Sequence, residues 1–159
     1  MPEISRRDLI RGAAIVMSAG ALDLSANPLG LPIGCQTYPV RKMIGEDFVG
    51  TIKELAGAGF QSIELCSPVG YADSGFAVLG KYKGAELGKI FKDVGVQCES
   101  SHFSMKELRD DLPGRIAWAH EVGLKQMIVP TLNGPHDPSV DDVKRLADEF
   151  NKMGEASAK

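Results

Sequence analysis

A short module recurs three times along this chain of 159 residues. In each copy a helical segment ends at a glycine, one apolar residue follows, and a strand-like run begins. The three glycines are Gly59, Gly95 and Gly123, and glycine is the residue that most often ends a helix in the left-handed conformation. Together with an opening apolar run at 33–38, the modules make four strand–helix units. Because alternating strands and helices form parallel sheets, the sequence predicts an α/β fold.

Hydrophobic periodicity gives the approximate bounds of these units. Strands are predicted at 31–38, 60–66, 96–102 and 124–131, and helices at 46–58, 85–94, 112–122 and from Ser139 onward. Ser139 is a favoured N-cap residue, and Asp142 occupies the position of a capping box. Eight such units close a TIM barrel, so we expect a (β/α)8 TIM-barrel type of fold that is incomplete, with four β/α units present.

The first residues resemble a twin-arginine export signal. The run SRRDLIR at 5–11 precedes a modest Ala/Gly-rich apolar stretch and small residues suited to cleavage. We expect a signal peptide at 1–26, a linker at 27–31 and the barrel-type domain at 32–159. This organisation predicts a protein exported to the periplasm by the twin-arginine pathway, although an amphipathic N-terminal helix is the alternative.

Composition narrows the classes of partner. A net charge of -3 disfavours binding to nucleic acid, which usually requires a basic surface. The sequence contains no apolar run of the about 20 residues that span a bilayer, so no membrane contact is expected after export. The odd number of cysteines, three in all, does not indicate a disulfide framework, and we expect Cys35, Cys66 and Cys98 to be small buried side chains.

Candidate functional residues are the polar residues at the strand ends, because barrel enzymes carry their sites at the carboxyl ends of the strands. Glu64 is the most informative, since a carboxylate between apolar neighbours in a strand needs a partner or a wet cavity. By alternation it shares a face with Cys66, and its alternative role is a structural ion pair. His102 suits proton transfer near neutral pH, unless backbone hydrogen bonds alone hold it.

Other candidates have weaker support. Alternation places Cys98 and Ser100 on the face of His102 and turns Glu99 away, towards a residue of a helix. The sequence favours surface or packing roles for His120 and His136, and it leaves open whether the aromatic loop after the second strand forms a pocket wall or only fastens the loop. The strand ends supply one inward carboxylate and one histidine, which do not complete a metal site. The remaining strand-end and loop residues are Gln36, Tyr38, Arg41, Thr131, Asn133, Tyr71, Phe76 and Tyr82.

Several runs together resemble the sugar phosphate isomerase/epimerase family of xylose isomerase-like TIM barrels. These runs are IGCQTYPVR at 33–41, DFVGTIKEL at 47–55, GFQSIELCSPVGY at 59–71, SSHFS at 100–104 and DVKRLADEFNKMG at 142–154. The resemblance implies that Glu64 and His102 are catalytic and contact the substrate, and that Tyr38 binds substrate. It also implies a small sugar or polyol as substrate and a divalent metal (Mn, Mg, Co or Zn), whose ligands belong to later strands that are not in this chain.

The resemblance therefore implies metal-assisted proton transfer on a sugar or polyol ketone in a full-length parent protein. We expect this chain to be its N-terminal half and to be inactive by itself. One alternative is a non-catalytic sugar-binding or assembly module that self-associates through exposed sheet edges. The other is a metal-dependent DNA-repair endonuclease of the same superfamily.

Overall fold

The computed structural model describes residues 30–132 and 137–158 of the chain. The predicted signal peptide and the candidates Asn133 and His136 lie outside the described residues. Spatial contacts between Cα atoms divide the chain into two units, Met1–Leu31 and Pro32–Lys159. The fold described below is that of the second unit.

Four parallel strands form one sheet in the order of the sequence. They are β1 (Gly34–Gln36), β2 (Ser62–Cys66), β3 (Gln97–His102) and β4 (Gln126–Ile128). This order confirms the predicted arrangement of strand–helix units. The strands are shorter than predicted, because apolar residues next to a strand also pack in the core without joining the ladder, as the buried Val96 does before β3.

Helices follow each strand and differ from prediction at two places. They are α1 (Arg41–Glu46), α2 (Phe48–Gly57), α3 (Gly84–Val94), α4 (Met105–Val122) and α5 (Val140–Ser157). The single helix predicted at 46–58 was wrong at its start, since extended backbone at Asp47 ends α1 and caps α2. The helix predicted from Leu112 begins seven residues earlier, at Met105, and Asp111 kinks it ahead of Pro113. The Ser139–Asp142 capping box at the start of α5 is confirmed.

The connection between β2 and α3 is a folded loop containing two 3₁₀ segments, Ala72–Ser74 and Phe76–Lys81. Phe76 is fully buried and fastens the loop to the core. Gly75 has a φ of 103°, and a Cβ there would lie 2.6 Å from the Arg41 carbonyl oxygen. Glycine therefore allows the loop to pass directly against α1.

The main core lies between the sheet and the helices that follow β1 and β2. Ile52 of α2, Ile63 and Leu65 of β2, and Leu87 and Phe91 of α3 are at most 2% exposed. A second cluster extends the core beyond β3 and contains Phe103, Leu108 and Ala119. Packing on this side leaves the opposite, more polar side chains of β2 and β3 free to form a site.

No helix among the described residues is both long and apolar enough to cross a bilayer.

Candidate functional site

An extra residue in β3 determines which side chains meet Glu64. Ile63 pairs with Cys98, but Glu64 pairs with Ser100, so Glu99 forms a bulge between them. The bulge shifts the alternation of side chains by one residue. Cys98 therefore packs in the core. Strict alternation had predicted that Cys98 shares the face of His102, and this prediction was wrong.

The partner of Glu99 also differs from prediction. Its carboxylate pairs with Lys125, which lies in the turn between α4 and β4 rather than in a helix. The Lys125 side chain is 70% exposed and that of Glu99 is 42% exposed, so this pair belongs to the surface and not to the site.

Glu64 and His102 form the centre of the site. The Glu64 Oε1 atom lies 2.8 Å from His102 Nε2, and the Ser100 hydroxyl donates to Glu64 Oε2 over 2.8 Å. The two side chains are 26% and 18% exposed, respectively, so the pair is sheltered but reachable from solvent. Neighbouring strands thus hold a carboxylate and an imidazole in one fixed geometry, as proton transfer requires.

Gln36, the last residue of β1, fixes the other side of the imidazole. Its Oε1 accepts the backbone N–H of Tyr38 at 2.5 Å, so its amide nitrogen faces Cys66 Sγ and His102 Nδ1, each at 3.3 Å. Since an amide nitrogen can only donate, we assign Nδ1 as the acceptor and Nε2 as the protonated nitrogen that donates to Glu64.

A cavity of about 500 Å³ opens beside this pair. Its walls combine aromatic rings with polar groups, from the ends of β1 and β3 and from the segments that follow β1, β2 and β4. The lining residues are Gln36, Tyr38, Pro39, Tyr71, His102, Pro130 and Thr131. A cavity of this size, with apolar walls and a few polar groups, suits a small organic ligand.

Tyr38 and Tyr71 form the aromatic wall of this cavity. Their rings meet edge to face with centroids 6.2 Å apart, and the Tyr71 ring lies 6.1 Å from the His102 ring. The Arg41 guanidinium lies 4.5 Å above the Tyr38 ring, and it donates to the Tyr38 carbonyl at 3.0 Å. The contacts with Arg41 and Tyr71 therefore hold the half-exposed Tyr38 ring beside the cavity.

The structure brings the three predicted site residues to one place. Glu64 and His102 are in direct contact, and Tyr38 lines the same cavity. The sequence left open whether the aromatic loop after β2 forms a pocket wall or only fastens the loop. Both occur, since Tyr71 lines the cavity while the buried Phe76 fastens the loop to the core. Sequence reasoning named Gln36 as a strand-end residue but missed its contact with the imidazole, which depends on pairing between distant strands.

Two of the cysteines, Cys66 and Cys98, are poorly suited to nucleophilic chemistry at neutral pH. Burial raises the pKa of Cys66 to about 11 and that of Cys98 to about 12, so both thiols are protonated and poorly nucleophilic. The expectation of small buried side chains is confirmed for these two, whereas Cys35 is only half-buried.

The described part of the chain does not provide a complete set of ligands for a divalent metal. No group of three or more histidine, cysteine, aspartate or glutamate residues converges there. Glu64 and His102 are two groups of the required chemistry, but a catalytic metal site usually takes three protein ligands or more.

No protein family model matches the chain, and neither does any curated protein. Solved structures do match it. One is the crystal structure of a sugar phosphate isomerase/epimerase from Parabacteroides distasonis ATCC 8503, with a TM-score of 0.60 and 23% sequence identity. The match covers 84% of this chain and 50% of that one.

This similarity shows the fold. Four parallel strands in sequence order, with helices between them, form a partial TIM-barrel-like structure, and the chain spans half the length of the solved isomerase/epimerase. The resemblance to the sugar phosphate isomerase/epimerase family is therefore supported at the level of the fold. The position of the Glu64–His102 pair, at the carboxyl edge of the sheet, is where such folds carry their sites.

Proposed function

We propose that this chain carries the proton-transfer pair of a sugar isomerase or epimerase, which acts on a carbon next to a carbonyl group. The observation that carries the proposal is the 2.8 Å contact between Glu64 and His102 beside a cavity at the carboxyl edge of the sheet. The name of the solved protein with the same fold supports this class of reaction.

In this proposal His102 accepts the proton at Nδ1. That nitrogen has only the long 3.3 Å contact with Gln36, which a substrate can replace. Protonation turns the ring into an imidazolium, and the Glu64 carboxylate at Nε2 stabilises that charge, as a carboxylate does in a catalytic triad. Ser100 keeps the carboxylate in place by donating to its second oxygen.

The cavity walls suit a small sugar or polyol. Tyr38 and Tyr71 offer rings against which the apolar C–H groups of a sugar can pack, whereas Gln36 and Thr131 offer groups for its hydroxyls. Tyr38 is accordingly proposed as a substrate-binding residue, and His102 and Glu64 as both catalytic and substrate-binding residues.

The divalent metal implied by the family resemblance would polarise the carbonyl group. Because the described residues bring together no group of three metal-ligating side chains, no step of the proposal runs through a metal. The proton transfer is assigned to His102 and Glu64 alone.

The first experiment measures sugar binding. A panel of aldoses and ketoses is titrated into the purified chain, and the ring signals of His102 are followed by NMR after assignment with His102→Gln. We expect at least one sugar to shift these signals and His102→Gln to weaken its binding. The matched control is His120→Gln, an exposed residue of α4, which should leave binding unchanged. A panel in which no sugar perturbs His102 would contradict the proposal.

The second experiment measures proton transfer in D2O, with and without Mn²⁺. Deuterium incorporation next to the carbonyl shows catalysis, and in a chain that incorporates deuterium His102→Gln should slow it by about 10²- to 10⁴-fold. Incorporation by the unaltered chain would also contradict the sequence-based expectation that these 159 residues are inactive by themselves.

Sugar binding without catalysis is the second candidate function. Both ring nitrogens of His102 already have hydrogen-bond partners. A ring held in this way can serve as a fixed part of a sugar-binding surface as well as it can serve as a base. Binding in the first experiment, with no deuterium incorporation under any metal condition in the second, would favour this candidate.

A further inference from the structure

Glu107, in the first turn of α4, is a buried carboxylate outside the proposed proton-transfer pair. Only 3% of the residue is exposed, and buried carboxylates are rare unless they are paired. Its Oε1 accepts the backbone N–H of Ser104 at 2.6 Å, and its Oε2 accepts the hydroxyl of Ser67. The Ser104 contact is a capping box, but the contact with Ser67 reaches a different part of the chain.

Ser67 connects this carboxylate to the loop after β2. It is fully buried, and its hydroxyl oxygen accepts the backbone N–H groups of Val69 and Gly70 at 3.2 and 3.1 Å. Its own N–H donates to the His102 carbonyl, and its carbonyl accepts the N–H of Tyr71. The Ser67 hydroxyl therefore links Glu107 to Val69 and Gly70, and the Ser67 carbonyl holds the next residue, Tyr71.

Gly70 shows how closely the loop after β2 packs against the first turn of α4. A Cβ at this position would lie 2.0 Å from Glu107 Oε1 and 2.8 Å from Ser104 Oγ. Gly70 is not among the glycines with positive φ, so direct contact with the carboxylate, and not backbone conformation, restricts this residue.

We infer that Glu107 is a positioning residue, which holds Tyr71 against His102 and so sets one wall of the cavity. The Tyr71 ring follows directly after Gly70 in the chain and lies 6.1 Å from the His102 ring. The inference rests on the proposed function at one point only, namely that this cavity is the substrate site. The geometry itself can be tested without any sugar, so failure of the proposed function does not decide it.

The test uses Glu107→Gln in the full chain. Glutamine keeps the shape of the side chain but has one acceptor oxygen where Glu107 has two, so it can no longer accept from both the Ser104 N–H and the Ser67 hydroxyl. We expect the nuclear Overhauser effect between the rings of Tyr71 and His102 to weaken and the His102 ring signals to move. The matched control is Glu86→Gln. Glu86 also caps a helix, by accepting the N–H of Lys83, but it is exposed.

A second variant, Ser67→Ala, removes the connecting hydroxyl and leaves the Glu107 carboxylate in place. Circular dichroism and melting temperature establish that each variant is folded at the temperature of measurement. Changed ring contacts in Glu107→Gln and Ser67→Ala, with none in Glu86→Gln, support the inference. Unchanged ring contacts in either Glu107→Gln or Ser67→Ala, or an equal change in Glu86→Gln, would overturn it.

Discussion

His102 and Glu64 occupy neighbouring strands and meet through Nε2 and Oε1 at 2.8 Å. The bulge at Glu99 makes the contact possible, because it brings Ser100 opposite Glu64 and His102 opposite Cys66. Glu64 therefore has a hydroxyl on one oxygen and an imidazole on the other. Such a carboxylate can orient the ring and stabilise its protonated form.

Glu64→Gln should weaken the proposed proton transfer while preserving the shape of the site. The change removes the negative charge that faces the imidazole, and hydrogen bonds to charged groups contribute about 1.5–3 kcal/mol. In a chain that incorporates deuterium, we therefore expect the rate of incorporation to fall by about 10- to 100-fold. Glu99→Gln is the control, because Glu99 pairs with Lys125 at the surface, and a similar loss in that variant would contradict the assigned role of Glu64.

Gly70→Ala should destabilise the protein. The added methyl group would overlap the Glu107 carboxylate, whose Oε1 lies 2.0 Å from the position of the new Cβ. Overpacking of this kind costs about 1–3 kcal/mol, which urea denaturation can measure. The control is Gly57→Ala at the end of α2, where an added Cβ would meet nothing within 4 Å apart from its chain neighbours and the backbone of its own helix. A loss of stability as large in Gly57→Ala as in Gly70→Ala would refute this explanation.

Stability should fall at high pH because of Cys66. Burial raises the pKa of this thiol from 9.0 to about 11, and the Glu64 charge adds to the effect. Between about pH 9 and 11 the unfolded chain loses this proton while the folded chain keeps it. The free energy of unfolding therefore decreases as pH rises, by up to about 1.4 kcal/mol per pH unit.

Cys66→Ala provides the comparison for this pH effect. Urea denaturation of both proteins between pH 8 and 11 should show a shallower decline in the variant. Parallel curves over this window would show that the Cys66 thiol does not contribute to the decline.

Self-association through the sheet edges also stays a prediction. In the described sheet β1 and β4 are the outer strands, and outer strands can pair with another chain. Ile33, next to β1, is 45% exposed, so Ile33→Lys should shift sedimentation towards the monomer. Val69→Lys places the same charge on an exposed loop residue and should not. Monomeric behaviour of the unaltered chain at all concentrations would contradict the prediction.

Local patterns were sufficient to predict the order of the elements. Gly95 and Gly123 end helices in the left-handed conformation, and Ser139 caps α5 with Asp142. These signals involve residues only a few positions apart, so they can be recognised without knowledge of the fold. The Ser104–Glu107 capping box has the same kind of signal and would have placed the start of α4 correctly, but the prediction began that helix at Leu112.

The sequence by itself therefore determined a parallel α/β chain with Glu64 and His102 at its strand ends. Tertiary structure alone decided that the two side chains touch, that Gln36 holds the imidazole, and that Glu107 is buried against Ser67. The physical reason is that these contacts depend on strand register and loop packing between residues 36 to 66 positions apart. One bulge residue changes every facing side chain after it, and no local pattern in the sequence reports that change.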